Sequence, residues 1–174
     1  MISDKMYDLI NTQMTREYFS AFFYLNMAAW CDGNDLPGVA HWLKIQGQEE
    51  LCHGQIMFNY LIDNQRTPVM GAIEKPRHEF KTVKDVFEAG LEHERFVVTK
   101  RINEIVDLAI AEKDHATNQA YQWFVGEQVE EEASFEQVLG KLKFLRENSP
   151  EMLMLDKELA MRVFAMPPLL VGKI

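Results

Sequence analysis

Residues 49–53 have the sequence Glu-Glu-Leu-Cys-His, and this stretch decides the fold. In a helix, Glu50 and His53 stand three residues apart, so both project from one face and both can bind one metal ion. That face is otherwise apolar, and its members at helical spacing are Leu43, Gly47, Glu50, His53, Met57 and Tyr60. A buried carboxylate without a partner protonates or binds a cation. The stretch therefore predicts an interior site that needs further ligands.

Three other stretches show the same pattern, an apolar helical stripe with a glutamate near its middle. Their members are Ile10, Met14, Glu17, Ala21, Tyr24 and Ala28; Phe87, Leu91, Glu94, Val98, Arg101 and Ile105; and Phe124, Gln128, Glu131, Phe135, Val138 and Leu142. Surface charge does not explain four such breaks in apolar patterning. Carboxylates on four helices with one Glu-x-x-His are typical of the interior site of ferritin-like di-iron bundles.

The composition is that of one acidic domain. At 174 residues, the chain is expected to form a single domain over 1–174 with a sizeable core. Its 27 acidic and 18 basic residues give a net charge of −9, which disfavours nucleic acid and anionic membranes as partners and favours cations. With no signal peptide and no run of about 18 apolar residues, we expect a cytoplasmic protein. Cys31 and Cys52 are expected to be small buried residues.

Start and stop patterns predict four long helices and a short fifth one. The predicted ranges are 4–31, 37–63, 83–112, 116–146 and 151–161. Pro37 should open the second helix, with Asn34 or Asp35 as its N-cap, and Pro150 should open the fifth after the N-cap Ser149. The tail, 163–174, is expected to be extended.

The connection between the second and third helices is unusually long. Residues 66–81 hold Pro68, Gly71 and Pro76 and show no sustained period. A connection of about 15 residues can run the length of a bundle, so that the third helix starts at the far end. The predicted fold is therefore an all-α, ferritin-like four-helix bundle with one long crossover and a short C-terminal helix.

Further polar residues lie near the predicted site. Glu127 and Glu130 with Glu131 are at helical spacing, and Glu49 adjoins Glu50, so these acids form either a solvated face or a third, more exposed cation site. Tyr24 is either an ordinary buried tyrosine or a hydrogen-bond donor and electron source beside the metals. The remaining histidines have no matching acids and are expected to be surface or structural residues: His41, His78, His93 and His115.

Taken together, these motifs resemble one known family. The chain resembles the non-haem ferritins of bacteria and archaea. The residues that carry the resemblance are Glu17, Tyr24, Glu49-Glu50-x-x-His53, Glu94 and Glu127-Gln128-x-Glu130-Glu131. The likeness extends from the first helix through residues 155–159. It implies a hollow 24-subunit shell that oxidises Fe(II) with O2 or H2O2 at a ferroxidase centre in each subunit and stores ferric oxyhydroxide.

The resemblance also implies roles for individual residues. Glu17, Glu50 and His53 would hold one iron, and Glu50, Glu94 and Glu131 the second, with Glu50 bridging. Gln128 would neighbour the second iron, and Tyr24 matches the family's tyrosine. The third site would comprise Glu49, Glu127, Glu130 and Glu131.

No haem is expected. Bacterioferritin carries a second Glu-x-x-His, but Glu127 is followed three residues later by Glu130, and Leu51 stands where the haem-ligating methionine would fall.

Three alternatives to an iron-storage ferritin each make a different demand on the sequence. A rubrerythrin-like peroxidase would need a second Glu-x-x-His and usually a four-cysteine module, and the sequence has neither. A DNA-protecting mini-ferritin places its site between subunits and lacks the fifth helix. A bundle used only as a scaffold would carry its acids on the surface.

Overall fold

The computed structural model describes residues 1–146 and 148–172, and within these ranges the protein contains helices and no strands. The elements are α1 (Asp4–Asp32), α2 (Pro37–Asp63), α3 (Val83–His93), a π-helical segment (Glu94–Thr99), α4 (Lys100–Ala111), α5 (His115–Leu142), α6 (Pro150–Leu159) and a 3-10 turn (Pro168–Leu170). The π-helical segment joins α3 and α4 into one rod. Among the described residues, none of the helices combines the length and the hydropathy that a membrane span requires.

Two apolar clusters, one at each end of the bundle, fix the directions of the helices. The lower cluster takes its side chains from the start of α1, the end of α2, α4 and the start of α5: Ile10, Met57, Ile102 and Tyr121 are examples. The upper cluster takes them from the opposite ends and from α6: Met27, Leu43, Phe87, Phe135 and Leu155 are examples. The α3–α4 rod is therefore antiparallel to α1 and parallel to α2.

The long crossover, residues 64–82, runs along α1 from the lower end to the upper end. The Tyr7 hydroxyl donates to the Thr67 carbonyl (2.9 Å), and farther up α1 the Asn26 amide donates to the Pro76 carbonyl (3.3 Å). Between them, Asn11 exchanges two hydrogen bonds with the backbone of Val69 (2.9 and 2.8 Å). This path confirms the predicted ferritin-like connectivity with one crossover.

Four helix starts have side-chain caps. The oxygens of Ser3, Thr82, Asp114 and Ser149 accept from backbone N–H groups at the starts of α1, α3, α5 and α6.

The predicted cap of α2 at Asn34 or Asp35 is wrong. Leu36 occupies the N-cap position and its side chain gives no cap, while Asp35 takes a left-handed backbone conformation (φ 60°) in the preceding turn. The N–H of Val39 instead donates to Asp156 Oδ1 of α6 (2.8 Å). A carboxylate distant in sequence thus stabilises the positive end of the α2 dipole.

The π-helical segment changes which residues of the rod face inward. Its looser turn shifts the helical register, so Ile102 is fully buried where the sequence stripe placed Arg101. Arg101 is partly exposed and pairs with Glu104 one turn away (3.1 Å). The prediction that Arg101 belongs to the inward stripe is therefore wrong.

The C-terminal elements are shorter than predicted. Helix α5 ends at Leu142 rather than near residue 146, and α6 ends at Leu159 rather than near 161. The tail, expected to be extended, includes the 3-10 turn, in which Leu170 packs into the lower cluster. Of the predicted ranges, residues 147, 173 and 174 lie outside the described residues.

Gly38 provides a test of the α2–α6 contact. A Cβ at this position would lie 1.8 Å from the backbone oxygen of Asp156, so Gly38→Ala must push α6 away. We expect a loss of about 1–3 kcal/mol in the free energy of unfolding, measured with guanidinium chloride. Gly140→Ala in α5 is the control, since nothing lies within 4 Å of its added Cβ. Equal stability of the two variants would contradict this packing.

Candidate metal centre

A layer of buried polar side chains crosses the bundle between the two apolar clusters. Each long helical rod contributes to it, and every member is at most 5% exposed: Glu17 from α1, Glu50 and His53 from α2, Glu94 from the π-helical segment, and Gln128 and Glu131 from α5. The rings of Trp123 and Phe124 stand at 5.5 and 5.8 Å from that of His53. The sequence placed these side chains on separate stripes, and the structure brings them together.

Ligand atoms in this layer form two groups that share one residue. Glu17, Glu50 and His53 offer atoms that all lie within 4.8 Å of one another, and so do Glu50, Glu94 and Glu131. Glu50 belongs to both groups. A carboxylate shared in this way would serve both cation positions.

Neutral donors hold one oxygen of each of three carboxylates. Glu17 Oε1 accepts from the Gln13 amide (2.8 Å), and Glu50 Oε1 accepts from the Gln46 amide (3.3 Å). The Tyr24 hydroxyl donates to Glu94 Oε1. These bonds fix the carboxylates in orientation while leaving the second oxygen of each toward the interior.

Glu131 is held at both oxygens. Its Oε1 accepts from Gln46 (2.9 Å) and its Oε2 accepts from Gln128. The carbonyl oxygen of Gln128 in turn faces Thr99 Oγ1 (3.0 Å), whose single hydrogen is shared with Glu132 Oε1 (2.7 Å). Gln128 therefore acts on the layer through Glu131.

Several buried ligand atoms have no hydrogen-bond partner within the described residues: Glu17 Oε2, Glu50 Oε2, Glu94 Oε2, and Nδ1 and Nε2 of His53. Native proteins rarely leave so many buried polar atoms unpaired in one place. Carboxylate oxygens with one imidazole suit hard and borderline cations, and Fe(II) is among them. The donor set thus fits a pair of such ions.

The carboxyl groups titrate far from their ordinary range in the absence of a cation. Burial raises the pKa of Glu94 from 4.5 to about 8. Burial, with repulsion from neighbouring carboxylates, also raises the pKa values of Glu17, Glu50 and Glu131 well above 4.5. The pKa of the Tyr24 hydroxyl is likewise raised, first by burial and then by Glu94.

These shifts predict how the stability of metal-free protein depends on pH. Between 4.5 and about 8, folded Glu94 holds a proton that the unfolded chain has lost. The free energy of unfolding should therefore fall as pH rises through this window. Chelator-treated protein should unfold at lower guanidinium concentration at about pH 8 than at about pH 5. In Glu94→Gln the free energy of unfolding should fall less steeply with pH, and in exposed Glu88→Gln it should fall as in wild type. A free energy of unfolding that rises between pH 5 and pH 8 would contradict the prediction.

The acids predicted to form a third site are only partly assembled. Glu127 joins His53 and Glu131 in a third group of ligand atoms within 4.8 Å. The carboxylate of Glu49 is instead paired with Arg162, beyond the end of α6, and Glu130 is exposed. Burial raises the pKa of Glu49, although Arg162 opposes the shift.

The amides of Gln13 and Gln46 and the guanidinium of Arg162 were not foreseen from sequence. Gln13 and Gln46 each precede a ligand glutamate by four residues. A glutamine one helical turn before each acid is therefore the sequence signal that would have predicted these two hydrogen bonds. Arg162 had no such pattern, because its partners lie more than 110 residues away. Among the histidines expected to be surface or structural, His93 is buried against Ser20 (2.7 Å), and burial lowers its pKa to about 4.

Fold and site together define a four-helix-bundle protein with a candidate two-metal, carboxylate-rich centre inside one chain. The ferritin-like domain family matches residues 7–145. The chain belongs to the ferritin family.

Individual relatives agree with this assignment over nearly their whole length. A "Probable bacterial non-heme ferritin-like protein" of Haemophilus influenzae is 40% identical over 159 residues, which cover 91% of this chain and 96% of that protein. A "Bacterial non-heme ferritin" of Staphylococcus saprophyticus is 38% identical over 164 residues (94% and 98%). Among solved structures, an open pore ferritin from the archaeon Archaeoglobus fulgidus is similar with a TM-score of 0.91 and 42% identity, covering 94% of this chain and all of that one.

Proposed function

We propose that this protein is an iron-storage ferritin that oxidises Fe(II) at the centre inside each subunit. The observation that carries the proposal is the pair of buried ligand groups joined by Glu50. The unpaired carboxylate and imidazole atoms support it, because a scaffold without a cation would leave them unsatisfied. Membership of the ferritin family and the non-haem ferritin names of the relatives point the same way.

Fe(II) would be the substrate, and the contacts within the layer support a role for each side chain toward it. Glu17, Glu50 and His53 would bind one ion, and Glu50, Glu94 and Glu131 the other. Tyr24 would hold Glu94 and stand as a nearby proton or electron donor, while Gln128 would orient Glu131. Glu127 would add a weaker third position beside His53, to which Glu49 and Glu130 would contribute after rearrangement.

The chemistry follows from placing two Fe(II) ions together. Each ion would give up one electron, and O2 would accept both together with two protons to form H2O2. H2O2 can itself oxidise two further Fe(II) ions and, with two more protons, become two molecules of water. Carboxylates bind both oxidation states because they are hard donors. The ferric product would then leave the centre and hydrolyse to ferric oxyhydroxide.

The storage role further requires a closed assembly, and we propose a 24-subunit shell in the cytoplasm, with residues 1–174 as one domain in each subunit. Exposed apolar side chains support burial against other subunits. One set lies on α1 and the crossover (Phe22, Leu25, Val69, Met70 and Ile73), and another on and after α6 (Leu153, Met154, Met161 and Val163).

Iron loading tests storage directly. Fe(II) is added in air to the chelator-treated protein, and iron and protein are followed together through size-exclusion chromatography. We expect iron far in excess of two ions per chain to elute with a large, soluble assembly. Iron that precipitates as it does in buffer, or that elutes apart from the protein, would contradict the proposal.

The two enzymatic or protective alternatives are separated by further measurements. A mini-ferritin-type protein would retard DNA in a gel, which the net charge of −9 disfavours. A rubrerythrin-like peroxidase would turn over H2O2 with an electron donor and retain no mineral. The location of both ligand groups inside one chain supports the storage ferritin over a site between subunits.

A further inference from the structure

Arg162 is a largely buried arginine that has no role in the proposed function. It follows α6, in a segment that returns to α2, and its side chain is only 20% exposed. Its guanidinium lies 4.2 Å from the ring centroid of Trp42 and donates to the Trp42 carbonyl (3.4 Å). His41 Nε2 donates to the Arg162 backbone oxygen (2.9 Å). The residue is thus held firmly against one face of α2.

The guanidinium bridges two side chains of α2 that lead toward the metal centre. Its Nη2 donates to Gln46 Oε1 (3.0 Å) and to Glu49 Oε2. On its other side, the Gln46 amide donates to Glu131 Oε1 (2.9 Å) and Glu50 Oε1 (3.3 Å). A continuous chain of hydrogen bonds therefore joins Arg162 to two ligands of the second metal position.

The direction of these bonds is dictated by Arg162. A guanidinium has donors and no acceptor, so it binds only the carbonyl oxygen of an amide. With that oxygen turned toward Arg162, the NH2 group of Gln46 faces the carboxylates. Without Arg162 the Gln46 oxygen loses its charged donor, and only the bonds to Glu50 and Glu131 hold the amide in place.

We propose that Arg162 is a positioning residue for the metal centre: through Gln46 it holds Glu131 and Glu50 in the orientation that leaves Glu50 Oε2 open to a cation. The inference rests on the proposed function, because it presupposes that the second ligand group binds a metal ion. In this proposal Arg162 acts through the side-chain amide of Gln46, and not by stabilising the position of α6 in general.

The test compares Zn(II) binding to the assembled protein by calorimetry, with the Glu50→Ala isotherm as the baseline for surface binding. We expect Arg162→Met to weaken one of the two interior Zn(II) sites by about 10-fold or more. Arg162→Lys should recover only part of the affinity, because a single ammonium cannot bridge Gln46 and Glu49 while stacking on Trp42. Lys141→Met, which removes an ion pair between α5 and Glu158 of α6, should leave the affinity unchanged.

A double-mutant cycle identifies the route. Gln46→Leu alone should weaken Zn(II) binding by a similar factor, and adding Arg162→Met to it should cause little further loss. This cycle is also run with Arg162→Lys, so that the test stands if Arg162→Met fails to fold.

Two outcomes would overturn the inference: unchanged Zn(II) affinity in the folded Arg162 variants, or losses that multiply in the double variant. Wild type that binds no Zn(II) beyond the Glu50→Ala baseline would instead contradict the proposed function itself.

Discussion

Replacement of Glu50 by alanine is expected to lower the initial rate of aerobic Fe(II) oxidation by at least about 100-fold. Even mutation of residues that only hydrogen-bond to metal ligands typically lowers metal affinity or activity about 10–100-fold. Glu50 is the one carboxylate that both ligand groups share, so its loss removes a ligand from each metal position and the means of holding two ions together. His53→Ala should have a smaller effect, because it takes a ligand from one of these two groups. The rate is followed as ferric absorbance in chelator-treated protein.

The controls make the same chemical changes on the surface of the bundle. Glu88→Ala removes an exposed glutamate of α3 that pairs with Lys84, and His115→Ala removes an exposed histidine at the start of α5. Both should oxidise Fe(II) at the wild-type rate. Glu50→Ala protein that remains assembled and oxidises iron as fast as wild type would remove the interior centre from the mechanism.

Divalent metal should raise the stability of wild type strongly. Zn(II), which undergoes no redox change, would neutralise the repelling carboxylates and pair the unsatisfied ligand atoms. At about 100 times the dissociation constant, one bound ion adds about 2.7 kcal/mol. For a chain of this size that corresponds to roughly 5–11 °C in melting temperature. We would measure the melting temperature at a fixed guanidinium concentration, chosen so that the protein unfolds within the accessible temperature range.

The dependence on pH and on Glu50 makes this stabilisation diagnostic. Because burial raises the carboxyl pKa values, metal must displace protons, and its effect should grow as pH rises toward about 8. Glu50→Ala should lose most of the stabilisation, and Glu88→Ala should keep it. An equal rise in melting temperature for wild type and Glu50→Ala would place the bound metal on the surface.

The helical stripes were predictable because they depend on local periodicity. A glutamate on an apolar stripe at Glu17, Glu50, Glu94 or Glu131 is visible in sequence, and four such stripes can bury their acids only by facing one another. The crossover was predictable from its length and its prolines. The resemblance to non-haem ferritins then added which acids share a metal, and the structure brings those acids together.

What sequence patterns did not predict depends on contacts between distant residues. The α2 cap comes from Asp156, which lies in another helix, and local rules pointed to Asn34 or Asp35. Ile102 replaces Arg101 on the inward face because the π-helical segment adds an irregularity that a constant helical period cannot represent. The ion pair between Glu49 and Arg162 likewise could not be predicted, because it depends on where the chain runs after α6.

The measurement that tests the central claim most directly is anomalous diffraction at the iron edge from crystals exposed to Fe(II). The account predicts two neighbouring anomalous peaks inside each subunit, one among Glu17, Glu50 and His53 and one among Glu50, Glu94 and Glu131, on either side of the Glu50 carboxylate. Crystals of Glu50→Ala should lose both peaks or show them much weaker. Iron found only at surface acids, with nothing inside the wild-type bundle, would contradict the account.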